Sequence, residues 1–189
     1  MKLKISKFDR VTSTNDVAIK LIKKNIIKNN IIIAKTQTKG KGTMGKKWIS
    51  RKGNIFVSIF FDVTSTKIKI EEFTILNSYL IKNILKKYSN SEIKIKWPND
   101  LLIKKKKVCG ILQEVLEHKR KKYLVVGIGI NTFFAPKNKF FTATCLNNFS
   151  KKNITNISII KELKKIYEKF ISDIYKYSFS QIKKEILRN

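Results

Sequence analysis

Residues 35–48, KTQTKGKGTMGKKW, form a basic loop with three glycines within six positions. The loop follows the apolar run 31–34 and precedes the apolar segment 54–61. Glycine allows tight turns and lets backbone N–H groups approach a bound anion, and the lysines add positive charge. The loop therefore predicts a site for an anionic ligand, and Trp48 adds a flat aromatic face.

Two known phosphate-binding motifs nearly match this loop. Gly40-x-Gly42-x-x-Gly45 fits the dinucleotide fingerprint, and the same glycines begin a P-loop in which Lys47 replaces the magnesium-binding Ser or Thr. Both motifs require the loop to open a helix. Segment 55–61 instead has the composition of a strand. We therefore predict an anion cradle between two strands.

The length and composition are those of one cytoplasmic domain. The 189 residues suffice for a single core, no apolar run reaches membrane-spanning length, and the first six residues lack a signal-peptide core. Cys109 and Cys145 are isolated thiols, as expected in a reducing compartment. We expect no membrane partner.

The formal net charge is +29, and almost all of the excess is lysine spread along the whole chain. It accompanies frequent Ile and Asn, a pattern that suits compositional drift toward AT-rich codons. We therefore expect weak, salt-sensitive binding to polyanions and no specific nucleic-acid partner.

Hydrophobic periodicity predicts an α+β fold. Residues 3–11 suggest a first strand, and Ser13 with Asp16 suggests a capping box for a helix that continues to Ile26. Further on, the patterns predict helix, strand, hairpin, strand, loop and two helices. The corresponding segments are 71–88, 92–97, 101–115, 123–131, 132–153, 158–177 and 180–187.

Strand 123–131 carries its glycines on one face. Gly127 and Gly129 alternate with branched apolar residues, and Asn131 follows on the glycine face. Glycine weakens a strand, so two on one face indicate a close approach of something to the backbone. The sequence leaves open whether that is a ligand or a tight strand–helix contact.

Several enzyme classes are excluded by what the sequence lacks. His118 is the only histidine and lies in the charged segment 117–122, where we expect a solvated turn. A nucleophilic enzyme that needs a histidine base therefore has none available. Lysines, glycine backbone and amides remain, which suits the chemistry of phosphate and carboxylate anions.

Together the motifs resemble those of the biotin protein ligases, in the same order, over roughly residues 8–146. Segment 96–100 reads KWPND, and KVCGILQE follows at 107–114, similar to K-x-x-G-I-L-x-E. The other matching segments are STN at 13–15, QTKGKGTMGKKW at 37–48 (similar to Q-T-x-G-R-G-R-x-G-R-x-W), GIGIN at 127–131 and ATCL at 143–146 (similar to A-T-S-L).

The resemblance implies a single catalytic domain over 1–189, with a mixed, mainly antiparallel sheet flanked by helices, as in class II aminoacyl-tRNA synthetases. It implies an ATP-dependent reaction that activates biotin to biotinyl-5′-AMP and transfers biotin to a lysine of a biotin carboxyl carrier protein. The implied substrates are ATP and biotin, with Mg²⁺ on the pyrophosphate through ligands that the motifs do not assign. A homodimer is an implied assembly.

The resemblance also assigns roles to residues. Lys107, the cation between the two reacting anions, forms the catalytic set with Lys96 and with Asp100, which would orient the acceptor amine. The implied biotin-binding residues are Ser13, Thr14, Asn15, Gln37, Gly40, Lys41, Gly42, Lys107 and Gly110. The implied ATP- and adenylate-binding residues are Lys41, Thr43, Lys46, Trp48, Lys96, Asn99 and Asn131.

The chain departs from the family pattern in its loop and in its length. Lys41 and Lys46 stand where arginines are usual, and Thr43 stands where many members carry a further arginine, so we expect looser retention of the adenylate. The sequence shows no SH3-like domain after the last helices and no helix-turn-helix before Ser13, so we expect no repressor function. The alternatives are a lipoate or octanoate ligase, against which Gln37 and KWPND argue, and a basic nucleic-acid-binding module.

Overall fold

A computed structural model of the chain describes residues 2–25, 29–137, 141–150 and 153–188. The elements in chain order are β1 (Lys4–Val11), α1 (Thr14–Lys23), β2 (Asn30–Gln37), β3 (Ile55–Asp62), α2 (Ile70–Lys86), β4 (Ile93–Lys96), β5 (Asp100–Ile103), β6 (Lys106–His118), β7 (Lys121–Ile130), α3 (Asn156–Asp173) and α4 (Phe179–Arg188). No helix in these ranges is both long and apolar enough to cross a membrane.

The strands form one seven-stranded sheet in the order β1-β2-β3-β7-β6-β5-β4. Only β1 and β2 pair in parallel, and every other neighbouring pair is antiparallel. This confirms the predicted mixed, mainly antiparallel sheet and the meander from β4 to β7. Strand β3 lies near the middle and is buried along nearly its whole length, which explains its run of seven apolar or small residues.

The two faces of the sheet are covered unequally. Helices α2, α3 and α4 pack on one face and bury the main hydrophobic core, in which Phe61, Phe73 and Phe170 meet edge to face. The other face carries the single helix α1, which buries a smaller cluster around Ala18 and Phe60. The α1 face of the sheet is therefore only partly covered, which leaves room on it for a cleft.

The predicted capping box at the start of α1 is wrong. Ser13 occupies the N-cap position, but its side chain makes no capping hydrogen bond. The Asp16 carboxylate pairs with Lys41 of the glycine loop instead of reaching back to the helix start. The helix ends at Lys23, and residues 24 and 25 form a turn, so the predicted continuation is wrong at these two positions. Residue 26 lies outside the described residues.

The β5–β6 and β6–β7 hairpins each turn on two basic residues with left-handed backbone. Lys104 and Lys105 have φ of 46° and 63°, and Lys119 and Arg120 have φ of 47° and 59°. Because β6 extends to His118, that histidine is the last residue of a strand and is half-buried, with its Nε2 atom shielded from solvent. The prediction of a solvated turn residue is wrong at this position.

The segment after β7, predicted as loop, is tied to the sheet at several points. Residues Leu146–Phe149 form a 3-10 turn. Phe133 packs against the main core, and the Phe134 ring lies under the Arg51 guanidinium at 4.1 Å. The side chain of Phe141 is 37% exposed to solvent. Residue 140 lies outside the described residues.

Candidate active site

A narrow cleft opens on the α1 face where the start of α1, the glycine loop and strands β6 and β7 meet. Its walls include most of the residues that the motifs assign to a ligand site. The assigned residues that line it are Ser13, Thr14, Asn15, Gln37, Lys41, Gly42, Thr43, Trp48, Asn99, Lys107 and Gly110. Residues distant in sequence therefore share one concave surface, as ligand sites usually do.

The floor of the cleft is a pair of glycines. Gly110 of β6 lies directly opposite Gly129 of β7 in the sheet register, and the Trp48 indole rests on both. A Cβ atom at Gly129 would lie 2.4 Å from Trp48 Cε2, and one at Gly110 would lie 2.6 Å from Trp48 Cζ3. Such distances are shorter than any normal contact, so both positions require glycine for the ring to lie flat on the strands.

Gly127, on the same face, makes room for α1. A Cβ atom there would lie 2.5 Å from the Asn15 side-chain oxygen. This is the tight strand–helix contact that the sequence left open as an alternative. At Gly129 the approaching group is also from the chain, since Trp48 covers it.

Lys107 points its ammonium group into the cleft. Its Nζ lies 2.6 Å from Asp100 Oδ1, and the two side chains are only 18% and 19% exposed. The same Nζ lies 5.3 Å from the centre of the Trp48 ring and 5.4 Å from that of Phe141. One carboxylate and two aromatic faces thus hold a partly dehydrated cation beside the glycine floor.

The backbone of Lys107 is held as firmly as its side chain. Its N–H donates to the Thr142 carbonyl, and its carbonyl accepts from the Thr144 N–H, each at 2.9 Å. Asn131 lies behind it, with Nδ2 3.4 Å from the Lys107 carbonyl oxygen, and is 1% exposed. The motifs assign Asn131 to the nucleotide, but its side chain lies behind Lys107. Its Oδ1 atom is buried without a hydrogen-bond partner in the described chain.

Thr14 and Gln37 form a polar pair at one end of the cleft. The Thr14 N–H donates to Gln37 Oε1 at 2.8 Å, and the Thr14 hydroxyl lies 3.2 Å from the same oxygen. Gln37 Nε2 donates to Ser50 Oγ at 3.0 Å. The Gln37 amide is therefore oriented at both ends, with its oxygen toward the start of α1 and its nitrogen toward Ser50.

Two residues behind this pair were missed by the sequence reasoning. Ser58 of β3 is fully buried, and its hydroxyl lies 2.7 Å from Thr14 Oγ1. Glu114 of β6 accepts a hydrogen bond of 2.6 Å from Asn15 Nδ2. The Asn15 oxygen also accepts a hydrogen bond from Ser58, so both the nitrogen and the oxygen of the Asn15 amide are bonded to other side chains of the protein. Ser58 offered no sequence signal, whereas Glu114 is the last residue of the KVCGILQE motif.

The glycine loop is closed on itself and tied to α1. Trp48 N–H donates to the Gly40 carbonyl at 2.8 Å, and Gly42 N–H donates to the Lys46 carbonyl at 2.6 Å. The loop turns at Gly45, whose φ of +71° favours glycine. The Lys41–Asp16 pair anchors its first half to the helix.

Four further assigned residues are either exposed or support the cleft through their backbone and side-chain contacts. The side chains of Lys46 and Lys96 are exposed, and Lys96 lies opposite Asp100 in the β4–β5 register. Asn99 clamps β6, since its side chain donates to the Ile111 carbonyl at 3.0 Å. Gly40 is buried against Ser50 and Gln37 and does not line the cleft itself.

Two pKa shifts describe the electrostatics near the cleft. The hydrogen bond that the Lys41 ammonium donates to Asp16 raises the pKa of Lys41 above its ordinary value, so this cation stays charged at any physiological pH. Burial raises the pKa of the Cys109 thiol, so it remains a neutral core residue under Lys107. Within the described ranges, no three His, Cys, Asp or Glu side chains group so that they could hold a metal ion.

Comparison with known proteins agrees with the motifs. The profile of the biotin/lipoate A/B protein ligase family matches residues 7–131. The bifunctional ligase/repressor BirA of Bacillus subtilis is 30% identical over 182 residues, which are 93% of this chain and 56% of that protein. The chain thus spans little more than half the length of this relative.

Solved structures show the same fold. The biotin protein ligase from Aquifex aeolicus, in complex with biotin and ATP, superposes with a TM-score of 0.80 at 25% identity, covering 97% of this chain and 76% of that one. The biotin acetyl coenzyme A carboxylase synthetase from Helicobacter pylori, with bound biotinylated ATP, gives a TM-score of 0.68 at 27% identity, covering 88% and 75%. These likenesses confirm the resemblance to biotin protein ligases and their catalytic fold. On the family profile, the fold and the motif order, the chain belongs to the biotin/lipoate A/B protein ligase family.

Proposed function

We propose that this chain is an ATP-dependent biotin protein ligase, which activates biotin as biotinyl-5′-AMP and transfers it to a lysine of a biotin carboxyl carrier domain. One observation carries the proposal. The half-buried ammonium of Lys107 and the polar pair of Thr14 and Gln37 face the same glycine-floored cleft. A cation and a neutral polar end within one cleft suit a ligand that has a carboxylate at one end and a polar ring at the other.

The polar pair favours biotin over lipoate. The one hydroxyl hydrogen of Ser58 goes to the Asn15 amide oxygen, which can only accept, so the Thr14 hydroxyl receives no hydrogen from Ser58. The Thr14 hydroxyl donates its own hydrogen to Gln37 and keeps its oxygen available as an acceptor. Gln37 Nε2 uses one hydrogen on Ser50 and retains another. The pair therefore offers one acceptor and one donor side by side, which matches the N–H and C=O of a ureido ring. The dithiolane of lipoate has neither group.

Lys107 is suited to the first half-reaction. A carboxylate oxygen of biotin attacks the α-phosphorus of ATP, an oxygen–phosphorus bond forms, and the bond to the pyrophosphate oxygen breaks. The two reactants are both anions, so a cation between them lowers their repulsion and stabilises the charge that develops. A positioned group of this kind contributes about 10²- to 10³-fold in rate.

Asp100, which pairs with Lys107, is also suited to a role in the transfer step. The acceptor amine attacks the carbonyl carbon of the mixed anhydride, AMP leaves, and the amine loses a proton. Asp100 is the carboxylate in contact with Lys107, at 2.6 Å, and so lies close to this reaction. We propose that it orients Lys107 in the first step and the acceptor amine in the second.

Magnesium enters this proposal as part of the nucleotide substrate. Mg²⁺ in nucleotide sites is usually held by substrate phosphates, one or two carboxylates and water. Asp100 is ion-paired with Lys107, and the described residues offer no acidic cluster. The lysines of the loop, among them Lys41 and Lys46, would supply the remaining positive charge toward the phosphates.

The wider biology is proposed on the same basis. The partner would be the biotin-accepting domain of a carboxylase, the compartment the cytoplasm, and the assembly a monomer or homodimer of one catalytic domain. Specific nucleic-acid binding is not part of the proposal, because the described basic side chains are spread over every helix and strand except β3 and β5 instead of gathering on one element.

The test is ATP–pyrophosphate exchange with purified protein and MgATP, run separately with biotin, lipoate and octanoate. We expect exchange that depends on biotin, followed by transfer to a carrier domain whose acceptor lysine is intact. Exchange with lipoate or octanoate alone would reassign the chain within its family. Tight nucleic-acid binding without any exchange would support the binding-module alternative.

A further inference from the structure

A residue that no motif assigns lies in direct contact with the Lys107 side chain. Phe141 places the centre of its ring 5.4 Å from Lys107 Nζ. The Trp48 ring lies 5.3 Å from the same nitrogen, and Asp100 contacts it at 2.6 Å. Among the described lysines, this is the one whose ammonium lies near two aromatic rings.

The chain fixes Phe141 at this place through its neighbours. Thr142 and Thr144 bracket Lys107 with two backbone hydrogen bonds, and residues 107 and 143 form a parallel bridge. These backbone bonds hold the segment that begins at Phe141 beside Lys107. The ring itself is 37% exposed, so the main core does not account for its position.

The rings of Trp48 and Phe141 occupy different positions around Lys107. Trp48 lies on the glycine floor, and its indole Nε1 is buried without a hydrogen-bond partner in the described chain. Phe141 lies outside the floor, on a segment bonded to the Lys107 backbone. A cation–ring contact gains strength as the cation is dehydrated, and Lys107 is only 18% exposed.

We propose that Phe141 is a positioning residue, which shields the Lys107 ammonium from water and holds it over the cleft through its ring face. The expected effect on the rate of adenylate formation rests on the proposed function. The expected effect on the solvent access of the Lys107 amine rests on the contacts alone. Removing the ring therefore both slows adenylate formation and makes the Lys107 amine easier to reach from solvent.

Three variants test this. Phe141→Leu keeps apolar bulk and removes the ring face, and Phe141→Tyr keeps the ring. Phe134→Leu is the matched control, because Phe134 is 36% exposed, lies on the same connecting segment and contacts a different cation, Arg51. We expect Phe141→Leu to lower kcat for biotin-dependent exchange about five- to tenfold. The KM for biotin should change less than about twofold, as for a group that acts in the transition state.

A second readout does not need ligase activity. The rate at which Lys107 is acetylated by an N-hydroxysuccinimide ester, followed by peptide mass spectrometry, should rise about threefold in Phe141→Leu. It should stay unchanged in Phe141→Tyr and Phe134→Leu. A wild-type chain without biotin-dependent exchange would refute the proposed function, while a raised acetylation rate in Phe141→Leu would still support the positioning role. Equal acetylation rates, or equal loss of exchange in Phe141→Leu and Phe134→Leu, would overturn the role of Phe141.

Discussion

At the scale of single residues, Lys107 is where charge, burial and motif coincide. Replacing it with alanine removes the cation from between the two anions, and we expect biotin-dependent exchange to fall at least about 100-fold. Lys106→Ala is a matched control, since Lys106 is exposed and lies one position away on β6. Circular dichroism should show both variants folded. Exchange near the wild-type rate in Lys107→Ala would assign the catalytic cation elsewhere.

The glycine floor makes a second prediction for single residues. Gly129→Ala would place a Cβ atom 2.4 Å from the Trp48 ring, so the indole must leave the floor. The chain has two tryptophans, so a Trp97→Phe background makes Trp48 the single tryptophan, which can be excited selectively over the six tyrosines. In that background we expect Gly129→Ala to shift the emission maximum and lower exchange about tenfold or more. An unchanged spectrum would show that the strands accept a methyl group beneath the ring.

The residues of the site were predictable to different degrees. Thr14, Gln37 and Lys107 stand in motifs, and the structure brings them to one cleft. Ser58 and Phe141 could not be found, because a serine in an apolar strand and a phenylalanine in a loop resemble any others. Their importance comes from contacts with residues more than 30 positions away, which no local pattern records.

At the scale of elements, local signals located the turns but did not specify their geometry. The meander was predicted from alternation, yet both two-residue hairpin turns are built from lysine and arginine with positive φ. Such turns favour Asn and Gly, because other side chains clash in left-handed backbone. The capping box failed for a related reason. Asp16 fits the local rule, but a cation from the glycine loop competes for its carboxylate.

The strained turns predict that the β5–β6 hairpin can be stabilised. Lys105 has φ of 63°, and Lys105→Gly should relieve its strain and raise the free energy of unfolding by about 0.5–1 kcal/mol. For a chain of this length that corresponds to a rise in Tm of roughly 1–4 °C. Lys106→Gly, one residue further in strand β6, is the control and should lower Tm. A lower Tm for Lys105→Gly as well would mean that the lysine side chain contributes more than its backbone costs.

At the scale of the whole molecule, the order of strands could not be predicted from pattern. Sequential strands β4 to β7 do pair as neighbours, which local alternation supports. The parallel pairing of β1 with β2, and the placement of β3 beside β7, depend on crossovers around helices α1 and α2. The same placement brings the STN, glycine-loop and KVCGILQE segments together, so the site exists only once the whole sheet has formed.

A contact between the residue before β1 and helix α3 links parts of the chain that are far apart in sequence. The Leu3 N–H donates to Glu168 Oε1 at 2.8 Å, and Lys164 pairs with the same carboxylate. Partial burial raises the pKa of Glu168, but these two hydrogen bonds outweigh it and hold the pKa below its ordinary value. A depressed carboxyl pKa contributes stability above the unfolded-state value and loses it as the pH falls through the folded-state value.

Glu168→Gln keeps an acceptor for Leu3 and removes the charge, so it isolates that contribution. At about pH 7 we expect it to lower the free energy of urea unfolding by about 0.5–1 kcal/mol, since the side chain is only 24% exposed. The difference from wild type should shrink as the pH falls through the lowered pKa of Glu168, where the wild-type carboxyl takes up its proton. Glu92→Gln removes a fully solvated pair with Lys94 and should change nothing at either pH. A difference that persists in acid would show that the Glu168 contact stabilises the chain through packing, with no contribution from charge.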